Sequence, residues 1–262
     1  MPTLLTLRLT EPAVPPFPAH LHAAACGLLE PPDADHTAQR KPFAVGAPVT
    51  EQGFVMWRLG WLPDRALPAA WPPQRLRLGG STCQVFDAQT RHQPFAALAA
   101  SRPVTQCLVR FLTPTYFSRN GRDVPLPDPV LILRSLTQRW NTFAPAGLTI
   151  DDTLSKELLA TALLTDADVH TVRVQVGHDA WQTGFVGDTE LALTRTASPD
   201  VGAVFTALLR YATVAGVGAR TTHGFGEVSP QPPDERPRTR HTDADPHSAN
   251  PPDPASPHPA AL

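Results

Sequence analysis

The stretch GVGARTTHGFGEVS, Gly216 to Ser229, holds four glycines (Gly216, Gly218, Gly224 and Gly226) around a polar tip. Successive glycines let a backbone take positive φ and approach a ligand closely, so that several N–H groups converge on one phosphate. Arg220, Thr221, Thr222 and His223 add donors at the tip. The order of elements decides against a nucleotide loop. A dinucleotide fingerprint needs its glycines between a strand and a helix N-terminus, and a P-loop needs G-K-S or G-K-T. Here a helical pattern precedes the glycines and an extended one follows, which aims the negative helix end at the loop. Two readings stay open: a loop meeting a nucleic-acid backbone, or a helix stop at Gly216 with a tight turn packed on a sheet.

Other groups offer chemistry at lower specificity. His20 and His22 sit two apart, so on a helix their side chains diverge by about 200°. No carboxylate-rich motif joins them, and no metal site is expected. Arg119 and Arg122 in SRNGRD suit phosphate contacts or a solvated turn. Trp57, Trp61 and Trp71 fit core packing better than base stacking. Ser81, Ser101 and Ser135 lack a nucleophile elbow.

Composition narrows the setting. The 262 residues are 42% hydrophobic and 18% charged, enough for a sizeable core in one or two domains. No run approaches the roughly 18 apolar residues of a membrane helix. The opening MPTLLTLRLTE reads as carrying no signal peptide. Cys26, Cys83 and Cys107 form no CxxC pair, which fits a reducing cytoplasm. From Gln231 onward nine prolines fall in 32 residues, and we expect a disordered tail over 231–262. Removing its three arginines and five acids from totals of 22 and 24 leaves 19 of each sign. Any nucleic-acid binding must therefore come from a local patch.

The elements that must position these groups read as two similar halves. Leu5, Leu7 and Leu9 alternate as a half-buried strand, followed by the helical PAHLHAAACGLLE and the loop PPDADHTAQRKPF. Extended segments follow at GFVMWRLGWL and QRLRLGG, then a short helix, FAALAAS, before the strand PVTQCLVRFLTPT. In the second half Asp128 caps a helix begun by Pro129, with Val130, Leu133, Leu136 and Trp140 near helical spacing. A helical SKELLATALLT precedes strands at DVHTVRVQV and ELALTRT. Ser198 caps the last helix, whose Val201, Val204, Phe205, Leu208 and Ala212 share a face. Strand, helix, paired strands, helix, strand, met twice, predicts an α+β chain of two tandem ferredoxin-like βαββαβ units. Their expected spans are 1–108 and 109–230.

Three blocks together resemble a known family. The helix running into GVGARTTHGFGEVS is similar to the C-terminal glycine-rich motif of CRISPR-associated endoribonucleases that process repeat RNA, the sixth Cas family of the RAMP superfamily. FLTPTYFSRNGRDVPLPDPVLILRSLTQRWNTF resembles the start of that family's second domain. FPAHLHAAACGLLEPPDADHTAQRKPFAVGAP resembles, more loosely, its N-terminal pattern of proline, helix, loop histidine and lysine-aromatic strand. The resemblance spans Met1 to Ser229 and implies CRISPR repeat RNA (pre-crRNA) as partner, with other Cas proteins in an effector complex as further partners. It implies cleavage without metal or cofactor, through attack of a 2′-hydroxyl that leaves a 2′,3′-cyclic phosphate and a 5′-hydroxyl.

The resemblance carries over to His36 as general base or acid, Lys41 as transition-state stabiliser and Arg40 as a phosphate contact. Histidine titrates near working pH, and lysine suits an oxyanion. Arg119, Arg122, Arg220, Thr222 and His223, with the four loop glycines, would hold the RNA. One departure stands out, because Glu30 falls where some relatives carry a tyrosine. His20 or His22 could then stand in as the catalytic histidine. The alternatives are a non-catalytic RNA-binding RAMP subunit and a ferredoxin-like module for a small ligand or a protein.

Overall fold

Leu5, Leu7 and Leu9 of β1 (Thr3–Leu9) lie fully buried on one face of a sheet. The computed structural model of the chain describes residues 1–30 and 40–233. Helix α1 (Pro18–Leu29) covers the leucines with Leu21, Ala25, Leu28 and Leu29. The strands that follow are β2 (Phe43–Val45), β3 (Val49–Glu51), β4 (Phe54–Trp61), β5 (Arg75–Leu78) and β6 (Ser81–His92). They pair antiparallel in the order β2-β4-β1-β6-β5, with β3 on β4. This is a ferredoxin-like sheet with β1 at its centre. The hairpin of β5 and β6 stands where a second crossover helix would be.

That helix arrives later. FAALAAS forms α2 (Phe95–Ala99) only after β6, and it packs on the second unit. The Phe95 ring meets Trp140 at 4.8 Å and Tyr211 at 5.5 Å. The next strand, β7 (Gln106–Thr115), belongs to the second sheet, and it begins slightly before the boundary expected at 108.

The second unit continues through the hairpin of β8 (Phe117–Arg119) and β9 (Arg122–Val124), then α3 (Pro129–Phe143) and α4 (Asp152–Thr161). It closes with β10 (Ala162–Gln175), β11 (Trp181–Leu193), α5 (Pro199–Ala215) and β12 (Val228–Gln231). The order β10-β11-β7-β12 is that of a complete βαββαβ unit. The caps are those the sequence predicts: Asp128 accepts from the Leu131 amide and Ser198 from the Val201 amide. One element differs. The helix in SKELLATALLT stops at Thr161, and Leu163 and Leu164 instead pair with Ala192 and Leu191 of β11. Ladder bonds to β11 outweigh the helical preference of the leucines. Gln231 ends β12, and residues 234–262 lie outside the described residues.

The units meet through α5. A Cβ on Gly60 of β4 would sit 1.8 Å from the Val214 carbonyl oxygen, so only glycine admits the helix there. The Arg58 guanidinium and the Glu227 carboxylate add an ion pair at 2.6 Å across the same junction. Among the described residues no helix is long and apolar enough to cross a membrane.

Candidate nucleic-acid interface

The glycine-rich loop begins where α5 ends at Gly216, φ 63°. Its amides are largely engaged within the protein. Val217 donates to the Gly226 carbonyl, Ala219 to Tyr116, Gly226 to Pro114, and Gly218 to the Ser135 hydroxyl. A Cβ on Gly218 would lie 2.4 Å from the Tyr116 carbonyl oxygen, and one on Gly226 1.9 Å from that of Val217. The glycines thus serve close packing of the loop on itself and on the residue after β7 rather than a cradle of free amides. The helix-stop reading describes the loop's backbone, and its tip places Arg220 and Thr222 on the wall of a cavity.

Arg139 of α3 braces this loop from behind. Its guanidinium donates to the carbonyls of Ala215, Gly216 and Gly218 at 3.2, 2.8 and 2.6 Å. The Ala215 and Gly216 carbonyls form the negative end of α5, so a cation there offsets the helix dipole. Burial lowers the Arg139 pKa to about 10, which leaves it charged at neutral pH. The sequence reading missed this residue. Its one signal was an arginine next to Trp140 on the buried side of the helix.

In front of the loop lies a cavity of about 550 Å³. Arg40 and Lys41 line it from the approach to β2, Arg119 from the β8–β9 turn, and Arg134 and Arg139 from α3. Arg220, held at φ 52°, and Thr222 complete it from the loop tip. Among the described residues that line it, six are cations and none is a carboxylate. This is the local patch that a neutral chain needs to hold a polyanion. Arg122 pairs with Arg119 across the β8–β9 hairpin and is not among the lining residues. Arg134 was not singled out from the sequence. It stands exposed on α3, one turn before Gln138.

Glu30 closes α1 as its C-cap, and its carboxylate meets the Lys41 ammonium at 2.6 Å. The negative charge at this position is therefore matched by a lysine. His36 lies between the two in sequence, outside the described residues.

Comparison with known proteins places this architecture. Residues 109–228 match the family described as CRISPR-associated endoribonuclease Cas6. Cas6 proteins from two Mycobacterium tuberculosis strains are 29% identical over 230 residues, covering 81% of this chain and 71% of their own. A solved Cas6 product complex is 27% identical with a TM-score of 0.77, over 88% of this chain and 100% of that one. A Thermus thermophilus Cas6 gives 25% identity and a TM-score of 0.69, over 88% and 98%. Over most of its length the chain is similar to Cas6 endoribonucleases. The tandem ferredoxin-like fold is shared with these structures.

Within this chain the described histidines differ in their surroundings. His20 caps α1, its Nδ1 accepting from the Phe17 amide at 3.2 Å. It does not line the cationic cavity. His22 bonds through Nδ1 to the Thr222 carbonyl at 3.1 Å and stacks on His223, with centroids 4.1 Å apart and planes 5° from parallel. His223 is held to a pKa of about 4 by burial, then by His22 and Arg220. It is neutral at pH 7, stacked on His22 and not among the residues lining the cavity. Trp57 and Trp61 are core residues, and Trp71 packs on the first core with its indole N–H on Thr90.

Proposed function

We propose that this chain is a Cas6-type endoribonuclease that binds CRISPR repeat RNA in the cationic cavity and cuts it once, without a metal. The observation that carries the reading is a cavity, bounded by the glycine-rich loop, whose described lining residues include six cations and no carboxylate, with Glu30 paired to Lys41 beside it. Solved relatives are described as a product complex and a substrate mimic complex. Another is a histidine-to-alanine mutant, altered at almost the same distance from its N-terminus as His36.

In this reading the 2′-hydroxyl preceding the scissile phosphate forms a new bond to phosphorus while the bond to the 5′ oxygen breaks. His36 takes the 2′ proton or returns one to the leaving oxygen. Arg40 and Arg220 hold the phosphate, and Lys41, fixed by Glu30, stabilises the charge that builds on its oxygens. The products end in a 2′,3′-cyclic phosphate and a 5′-hydroxyl.

A second reading, an RNA-binding subunit without chemistry, draws on Glu30, whose carboxylate pairs with Lys41 and offsets its charge beside the cavity. Incubation with repeat RNA in EDTA separates the two. One cut in wild type, lost in His36→Ala with binding retained, supports the enzyme. Binding without cutting in wild type supports the subunit. No salt-sensitive binding overturns both.

A further inference from the structure

The cavity has walls from both units, and one contact beside it joins them. Lys41 and Phe43 come from the first unit, while Arg220 and Thr222 come from the loop of the second. The imidazole of His22 on α1 stacks on His223 and lies 6.0 Å from the Phe43 ring. Its Nδ1 is 3.1 Å from the Thr222 carbonyl, which can only accept, so Nδ1 carries the proton. Its Nε2 is 3.5 Å from Cys26 Sγ. The Cys26 thiol is pushed up to about 11 by burial and by the charge of Glu30, with which it also hydrogen-bonds, so it keeps its proton. His22, Cys26 and Glu30 recur every four residues, forming one stripe of α1 from the loop tip to Lys41. The charged groups around His22 are Arg220 beside its stacking partner and the Glu30–Lys41 pair beyond Cys26.

We propose that His22 is a positioning residue. Its ring clasps the glycine-rich loop to α1 and so holds Arg220 and Thr222 on the cavity wall. The inference rests on the proposed RNA function for its effect on cleavage, but the clasp itself is a property of the free protein. The Nδ1 bond to the Thr222 carbonyl and the stack on His223 both tie the ring to the loop, as a clasp requires.

The test compares wild type with His22→Ala and His22→Asn, whose side-chain amide reaches the Thr222 carbonyl as Nδ1 does. In free protein, His22→Ala is expected to speed amide exchange across residues 219–224, and His22→Asn to restore most of the protection. With repeat RNA, His22→Ala is expected to weaken binding and slow single-turnover cleavage by on the order of 10–100-fold, as misplaced binding groups do. His22→Asn is expected to recover most of both, although it cannot transfer a proton as imidazole does. Unchanged exchange in His22→Ala overturns the clasp, whatever happens with RNA. Equal loss of cleavage in both variants, with RNA affinity intact, overturns positioning in favour of a catalytic imidazole. Faster exchange in His22→Ala with no RNA binding by wild type leaves the clasp standing and fails the RNA function instead.

Discussion

The Glu30 carboxylate and the Lys41 ammonium meet 2.6 Å apart with side chains only 2% and 8% exposed. They bracket the segment that carries His36, so one ion pair ties the end of α1 to the approach of β2. Removing one partner of a buried pair costs about 3–5 kcal/mol, because it strands a charge away from water. Lys41→Ala is expected to lose stability on that scale in urea denaturation, and Glu30→Met with Lys41→Met to recover much of it. A Lys41→Ala protein as stable as wild type contradicts the buried pair.

The glycines of the loop are expected to respond unequally to a Cβ. Gly226→Ala places a methyl against the Val217 carbonyl at 1.9 Å and forces φ +74° on a non-glycine residue. Gly53 takes a similar φ of +80° with open space around it, so Gly53→Ala carries only the left-handed cost of about 1–2 kcal/mol. Thermal unfolding should rank Gly226→Ala far below Gly53→Ala. Equal midpoints would mean that the loop can open to admit the methyl.

Phosphate contacts should appear in the salt dependence of RNA binding. Arg134→Ala and Arg220→Ala each remove one cavity-lining cation, and each is expected to lower the log–log salt slope by about 1. Arg122→Ala, outside the lining, is expected to leave the slope unchanged. The interface is misplaced if Arg122 carries the larger effect.

His223 gives a pH signature. Burial, followed by His22 and Arg220, lowers its pKa to about 4 in the folded chain, against about 6.5 for an ordinary histidine. As pH falls through that window the unfolded chain gains a proton that the folded chain refuses. The stability tied to neutral His223 is therefore complete above about pH 6.5 and lost as pH falls toward 4. Denaturation at about pH 7 and about pH 5 should show a smaller loss for His223→Gln than for wild type. An equal loss in both would assign the pH dependence to other groups.

Several of these relationships can be read in the sequence, and others depend on the fold. The alternation of Leu5, Leu7 and Leu9 and the caps Asp128 and Ser198 are local, so spacing alone reports them. The Trp140-Asn141 pair is visible as a motif, and its structural work appears only in three dimensions. The Trp140 indole donates to the Leu148 carbonyl, and the Asn141 side chain exchanges bonds with the Ile150 backbone. Leu163 and Leu164 continue a helical pattern, and it takes their partners on β11 to draw them into a strand. Phe95 looks like part of a first-unit helix until Trp140 and Tyr211 capture its ring. Arg134, Arg139 and the stack of His22 on His223 join residues far apart in the chain, and no spacing rule brings them together.

The central claim, cleavage by the RNA's own 2′-hydroxyl in this cavity, is tested most directly by one substrate change. A repeat RNA carrying a single 2′-deoxy nucleotide before the scissile phosphate should bind as tightly as the all-ribose repeat and remain uncut in EDTA. Cutting of the deoxy substrate at the same bond would contradict the account.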